Sequence, residues 1–445
     1  METTYDDVAC TRCGCVCDDL RITVNAGRIV EADRACGLAE GWFLNLGTDE
    51  PPVAAIEGCP AEFGEAIERA AQILAGSRYP LIYGLSRSST DGQRAAVRLA
   101  DQIGATIDTT ASRCHAPSIM AVQQVGESTC TLGEAKNRCD LVVFWGCDPV
   151  NSHPRHGERY SVDPAGMFLP NGRNDRFIIV IDHRRTDSAQ LADWFIQIEK
   201  DRDFEMIWGL RCLLHGGDLT SHQAGLSNDD LRSLAERLSS CRSGIVYFGL
   251  GIAQAKMGHA TVEALLRLVE DLNSYTRFYA RRMRIPGDVT GADTVLCWQT
   301  GYPFAVNLMR GYPRYNPGEY SANEVLEREE ADACLLVGSE GVEQLSDAAV
   351  AHLERLPSIF LDYPNVSCPF TPAVRFTTAI YGIHARGTAY RMDEVPIPLK
   401  AILPTTYATD DAVLNAMLTV IKERKSAYAV NSSPTTLSIS PQRGL

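Results

Sequence analysis

The sequence predicts an α/β protein with more than one doubly wound, largely parallel sheet, behind a small metal-anchored β unit. Four cysteines, Cys10, Cys13, Cys15 and Cys17, fall within eight positions near the N-terminus, and alternating runs such as Leu20-Arg21-Ile22-Thr23-Val24 follow them. From about residue 60 onward, short apolar runs alternate with amphipathic segments, which is the pattern of parallel βαβ construction. Most of the apolar runs end in Gly or Asp, so polar groups lie at the carboxyl ends of strands, where open α/β sheets bind ligands.

Taken in order, the apolar runs predict strands at Leu81 to Tyr83, around residues 105–109, and at Leu141 to Trp145, Phe177 to Ile181, Ile245 to Phe248, Cys334 to Val337 and Ile359 to Leu361. Apolar residues recurring at three and four predict helices at Glu62 to Leu74, Gln93 to Ile103, Asp203 to Leu214, Thr261 to Leu272 and Val342 to Leu353. The expected organisation is a metal-binding unit over residues 1–50, an α/β region over 51–240, a second α/β region over 241–405, and a C-terminal helix with a polar tail over 406–445. From about residue 426 the chain becomes rich in Ser, Pro and Thr, which predicts a frayed tail.

Lys plus Arg number 42 against 56 Asp plus Glu, a formal charge of −14 with no basic block, so a nucleic-acid partner is not expected. No secretory leader and no run of about 18 apolar residues is present, which predicts a cytoplasmic protein without a membrane span. In a reducing compartment 15 cysteines point to metal, redox or packing roles rather than a disulfide framework.

Cys10, Cys13 and Cys17 form a C-x2-C-x3-C spacing, and Cys36 follows as a remote fourth thiol. Three close thiolates and one distant one suit an iron–sulfur cubane. They suit a tetrahedral structural zinc equally well, and Cys15 is left over in either case. Cys114 lies between Arg113 and His115, a setting that favours the thiolate, the form that ligates soft metals. Two segments after strands, Gly146-Cys147-Asp148-Pro149 and Asp182-His183-Arg184-Arg185-Thr186-Asp187, read singly as turns and helix caps and together as a ligand site. The remaining cysteines, Cys130, Cys139, Cys147, Cys212, Cys241, Cys297, Cys334 and Cys368, read as packing. Gly249-Leu250-Gly251 lacks the third glycine of a dinucleotide fingerprint.

An ordered set of motifs resembles the B subunit of formylmethanofuran dehydrogenase, a relative of molybdopterin-dependent formate dehydrogenases. It comprises Cys10-Thr11-x-Cys13 with Cys17-Asp18-Asp19, Cys114-His115-x-Pro117-Ser118, Thr129-Cys130-Thr131-Leu132-Gly133-Glu134 and His153-Pro154-Arg155-His156. Arg184-x-Thr186-Asp187, Trp298-Gln299-Thr300-Gly301 and Gly387-Thr388-Ala389-Tyr390-Arg391 continue it. The resemblance spans nearly the whole chain. It implies α/β domains of the molybdopterin oxidoreductase type without the C-terminal β-barrel domain, which a separate subunit supplies in this family.

The resemblance further implies that Cys10, Cys13, Cys17 and Cys36 ligate a [4Fe–4S] cluster and that Cys114 ligates molybdenum or tungsten held by bis(molybdopterin guanine dinucleotide). His115 would move protons and Arg284 would hold the carboxylate of a one-carbon substrate. Asp182, Arg184 and Thr186 would grip a pterin nucleotide, with Gly146, Pro149 and His153 also contacting the cofactor. The implied partners are the A, C and D subunits of one complex and an electron carrier. The sequence departs from the family pattern at Ile285-Pro286-Gly287-Asp288, Ala116, Asp148 and His183, and Asp148 puts a charge where a pterin phosphate would approach. Such changes at the cofactor site leave a second reading, a non-redox scaffold subunit of a formyltransferase/hydrolase complex.

Overall fold

The computed structural model describes residues 2–46, 51–220, 222–285, 287–338, 341–364 and 366–431. Pro286 and the polar tail beyond residue 431 lie outside the described residues.

A three-stranded antiparallel sheet, Glu2–Val8, Leu20–Asn25 and Arg28–Asp33, forms the N-terminal unit. The second sheet is wholly parallel, in the order Trp194–Gln197, Phe177–Asp182, Leu141–Trp145, Ser243–Phe248 and Arg277–Arg282. The third has nine strands. Its centre runs parallel through Thr106–Thr109, Pro80–Gly84, Ala333–Val337, Ser358–Asp362 and Val374–Thr377. Short antiparallel strands close its edges, Val306–Asn307 and Arg314–Tyr315 on one side and Ala54–Ile56 and Cys59–Pro60 on the other. A hairpin, Gly387–Tyr390 with Pro396–Leu399, completes the set. Among the described residues no sheet closes into a barrel.

The central strands form where the sequence carries unbroken apolar runs, as expected for strands covered on both faces. Leu141–Trp145 and Ala333–Val337 are buried throughout. Helices Phe63–Gly76, Thr90–Ile103 and Asp410–Asn431 bury their apolar stripes in one core with the nine-stranded sheet. The N-terminal unit is not a separate body, because Cys10, Cys17, Leu20, Ile22 and Phe43 share a core with Val142, Phe144, Ile178 and Val180 of the parallel sheet. The cysteine loop is therefore seated directly on that sheet.

The two large sheets interleave along the chain. The parallel sheet takes strands from 141–197 and 243–282, and the nine-stranded sheet takes strands from 54–109 and 306–377. A linear cut at residue 240 consequently passes through the parallel sheet. Three local expectations need correction. The stretch from Val342 to Leu353 is broken into a 3-10 turn, Val342–Gln344, and a helix, Asp347–Leu353, because the Ser346 hydroxyl accepts the Ala349 N–H at 3.3 Å and starts the helix afresh. The final helix continues to Asn431, past the predicted fraying point at 426. Cys297 is exposed, so it does not serve packing.

Candidate active site

The loop carrying Cys10, Cys13, Cys15 and Cys17 turns back on itself, with the Cys10 N–H donating to the Cys17 carbonyl at 2.8 Å and the Val16 N–H to the Cys13 carbonyl at 3.1 Å. Cys36, at the end of the three-stranded unit, joins them, and together with Arg12, Leu20, Pro154 and Arg155 the five cysteines line one cavity. Among the described residues no three His, Cys, Asp or Glu side chains converge on a single ion-sized point.

The thiols are not equivalent. Burial pushes Cys10 up. The hydrogen bonds that Cys15 shares with Cys13 and Cys17 hold Cys15 protonated, and its thiol in turn brings Cys17 down to about 7, helped by Arg159 and Arg155 against burial.

Cys114 closes a short helical turn after the strand Thr106–Thr109 and is 7% exposed. Burial raises its thiol to about 11; Arg284 and Arg282 oppose the rise and Asp293 adds to it. Arg284 follows the strand Arg277–Arg282 and is buried. Its Nη2 meets Asp293 at 2.5 Å, whereas its Nε is buried and has no hydrogen-bond partner. A guanidinium with one uncommitted donor beside a buried soft thiol fits a metal centre that takes a small anion.

Two histidines from different parts of the chain hold the Arg284 segment. His115 Nε2 meets the Met283 carbonyl at 3.1 Å, and its Nδ1 faces the Ser118 hydroxyl at 3.2 Å. His153 Nε2 meets the Arg284 carbonyl at 2.9 Å, and its Nδ1 faces the Ser152 hydroxyl at 2.8 Å. A carbonyl only accepts, so in both rings Nε2 carries the proton; His115 Nδ1 receives the Ser118 hydroxyl, whereas the Ser152 hydroxyl is shared between His153 Nδ1 and the Asp148 carbonyl at 2.9 Å. The Arg284 carbonyl also accepts the Gly14 N–H at 3.0 Å, which ties the cysteine loop to the Cys114 site.

That approach depends on two glycines. A Cβ at Gly14 would collide with the Arg284 carbonyl, and a Cβ at Gly287 would collide with the Thr11 carbonyl. Gly287→Ala is expected to cost about 1–3 kcal/mol, the usual range for overpacking a close contact. Denaturant unfolding measures it; an unchanged midpoint would exclude this contact.

His156 points elsewhere, with Nδ1 at 2.9 Å from the Ser161 hydroxyl. Burial lowers His115 well below the ordinary range, with the Arg284 and Arg282 charges adding to it, and burial takes His153 to about 4 and His156 to about 3. The unfolded chain titrates these rings near about 6.5, so below that value it binds protons that the folded chain refuses. Stability is expected to fall as pH drops from about 6.5 to about 4. A thermal midpoint that stays flat over that window would contradict the burial of these rings.

The strand-end segments meet at one end of the parallel sheet. Asp182 is buried and accepts the Arg184 N–H at 3.1 Å, Arg184 itself is exposed, and Thr186 Oγ1 is buried without a partner. Gly146 adopts φ 58°, and its carbonyl accepts the Gly251 N–H at 3.0 Å. Gly146, Gly249 and Gly251 thus serve a close backbone crossing at which a Cβ on any of them would be crowded. Pro149 opens the short helix Pro149–Ser152.

The Asp148 charge is consumed locally. Its Oδ1 accepts the Ser188 N–H at 3.1 Å and the Ser188 hydroxyl at 2.5 Å, and its Oδ2 accepts Asn151 Nδ2 at 2.7 Å. The departure that would repel a phosphate is a clamp between the two strand-end loops. Asp148→Ala should lower stability by about 1–3 kcal/mol by leaving the Ser188 N–H and hydroxyl without their acceptor, read as a lower thermal midpoint.

A larger cleft, lined by Arg12, Trp42, Ser86, Ser88, Asn151 and Asp288 among others, adjoins the cysteine cavity, with Arg12 lining both. Cys114, His115 and the 182–186 segment do not line it. The sequence pattern singles out neither this cleft nor a role for Asp288 within it. Asp288 caps the helix Val289–Thr300 through Gly291 and accepts Gln93 Nε2 at 2.9 Å and the Tyr390 N–H at 2.6 Å.

The cysteine loop and the buried Cys–Arg–Asp cluster are carried on a multi-sheet α/β fold, and that fold is shared with two solved structures. The formyltransferase/hydrolase complex FhcABCD from Methylorubrum extorquens matches at TM-score 0.70 and 23% identity, covering 84% of this chain and 99% of that one. Acetylene hydratase from Pelobacter acetylenicus matches at TM-score 0.66 and 10% identity, covering 95% of this chain and 70% of that one. No protein-family model matches.

Among sequences, this chain is 38% identical over 436 residues to the B subunit of the tungsten-containing formylmethanofuran dehydrogenase 2 of Methanocaldococcus jannaschii, covering 95% of this chain and all of that one. It is 35% identical over 431 residues to the protein of the same description from Methanococcus maripaludis, covering 95% and 99%. The chain belongs to the family of formylmethanofuran dehydrogenase B subunits. No helix among the described residues is long and apolar enough to cross a membrane.

Proposed function

We propose that this chain is the redox-active B subunit of a formylmethanofuran dehydrogenase-type complex, interconverting carbon dioxide and a formyl or formate group. One observation carries the reading: the Arg284 carbonyl joins the cysteine loop, through Gly14, to the segment that holds Arg284 beside Cys114. Cys10, Cys13, Cys17 and Cys36 would hold a [4Fe–4S] cluster. Cys114 would ligate tungsten or molybdenum carried by two pterins, and Asp182, Arg184 and Thr186 would hold a nucleotide tail. Bound there, the metal supplies two-electron chemistry and the cluster one-electron relay.

The chain's own residues do the rest. Arg284, oriented by Asp293, presents an uncommitted Nε to a carboxylate oxygen. Asp293 also balances the arginine charge in a buried site. His115 is neutral and carries its proton on Nε2, so it can take a proton only at Nδ1, and only once the Ser118 hydroxyl turns away. Burial keeps the Cys114 thiol protonated, and that proton would have to leave for the sulfur to hold a soft metal. The A, C and D subunits and an electron carrier are the partners this role requires.

The fold shared with the formyltransferase/hydrolase complex supports a second reading, a scaffold subunit without redox chemistry. Elemental analysis of the isolated complex separates the two. Tungsten or molybdenum at about one per chain, with iron at about four or more, is the expected result. Absence of both heavy metals would sink the redox role.

A further inference from the structure

We propose that Arg159 is a positioning residue whose buried Nη1, without a hydrogen-bond partner among the described residues, donates to the Cys17 sulfur once a cluster is in place and so raises the reduction potential of the cluster held by the N-terminal cysteines; this rests on the cluster reading above. Arg159 stands on the π-helical turn Gly157–Ser161, a backbone irregularity that often marks functional positions. Its guanidinium lies against the Cys17 sulfur. Nη2 is fixed by Asp18 Oδ1 at 2.8 Å. Nη1 is 3.3 Å from Asp19 Oδ1 but is buried without a hydrogen-bond partner.

The residues that follow Cys17 act as a jig. Arg155 grips Asp19 through two parallel bonds, Nη1 to Oδ1 and Nη2 to Oδ2, both 2.8 Å, and its Nε reaches Glu158 at 2.6 Å. Asp18 and Asp19 balance the two arginine charges, so the remaining asset of Arg159 is a directed N–H rather than net positive charge. Reduction adds negative charge to the cluster sulfurs. A donor aimed at one of them stabilises the reduced form and raises the potential. The Arg159 side chain is 16% exposed, so water screens this contact less than it would on an open surface.

The test is a potentiometric titration followed by electron paramagnetic resonance on the whole complex, reading the signal that Cys17→Ser alters. Arg159→Gln is expected to keep its iron and to lower the midpoint of that signal. Arg159→Lys, which keeps the charge but not the fork, should lie between Arg159→Gln and the unsubstituted complex. An unchanged midpoint in Arg159→Gln with full iron overturns the proposal. So does loss of iron from both variants at an unchanged thermal midpoint, because Arg159 would then retain the cluster rather than tune it. An unsubstituted complex without iron would instead remove the cluster reading itself.

Discussion

Cys114→Ser is expected to abolish dye-linked oxidation of formate or formylmethanofuran, by about three orders of magnitude or more, while leaving the fold intact. The fold should survive because the exchange is nearly isosteric and a serine oxygen can also accept the His115 N–H that the Cys114 sulfur faces, beside the Arg284 and Asp293 charges. The chemistry should not survive, because a serine hydroxyl is a hard donor with a far higher pKa and would neither ligate a soft metal nor tune its potential. A loss confined to kcat, with an unchanged thermal midpoint, is the pattern of a group acting at the reacting centre. Undiminished turnover in Cys114→Ser would assign the chemistry to another residue.

The second large effect is expected at the Arg284–Asp293 pair, whose side chains are 4% and 9% exposed. Arg284→Ala removes one charge and leaves a buried carboxylate unpaired, which typically costs about 3–5 kcal/mol. A marked fall in the denaturation midpoint should accompany loss of activity. The double variant Arg284→Ala with Asp293→Ala should regain much of the stability and none of the activity. Arg284→Lys tests the substrate role separately. It keeps the charge opposite Asp293 but loses the planar fork, so KM should rise more than stability falls. Equal activity in Arg284→Lys would remove the carboxylate-holding role.

The parts of this chain that are legible in the sequence are those whose signal is local. Leu141–Trp145 and Phe177–Asp182 read as strands because doubly covered strands need unbroken apolar runs. Cys10, Cys13 and Cys17 stand out because thiols gathered on one tight loop lie at close, regular spacing in the sequence. The edge strands Arg314–Tyr315 and Cys59–Pro60 leave no mark in the sequence, since two residues carry no period and pair only because a neighbour is present. Spacing does not link Asp293 to Arg284, and the Gly14 and Gly287 contacts exist only where two distant loops meet. Asp148 misleads for the same reason. Its charge is visible in the sequence, whereas the Ser188 and Asn151 groups that consume it are not.

The interleaving of the two large sheets fixes an order of events during synthesis. Pro80–Gly84 pairs with Ala333–Val337, so the nine-stranded sheet cannot form until most of the chain has been made. Early strands such as Ala54–Ile56 must wait for Val374–Thr377. Contacts of such long sequence separation make folding slow. The N-terminal unit, with Cys10, Cys13 and Cys17, packs on strands from 141–180 instead, so its seat is made while the nine-stranded sheet is still incomplete. The cysteine loop therefore has its supporting surface before the last strands of the larger sheet have been made.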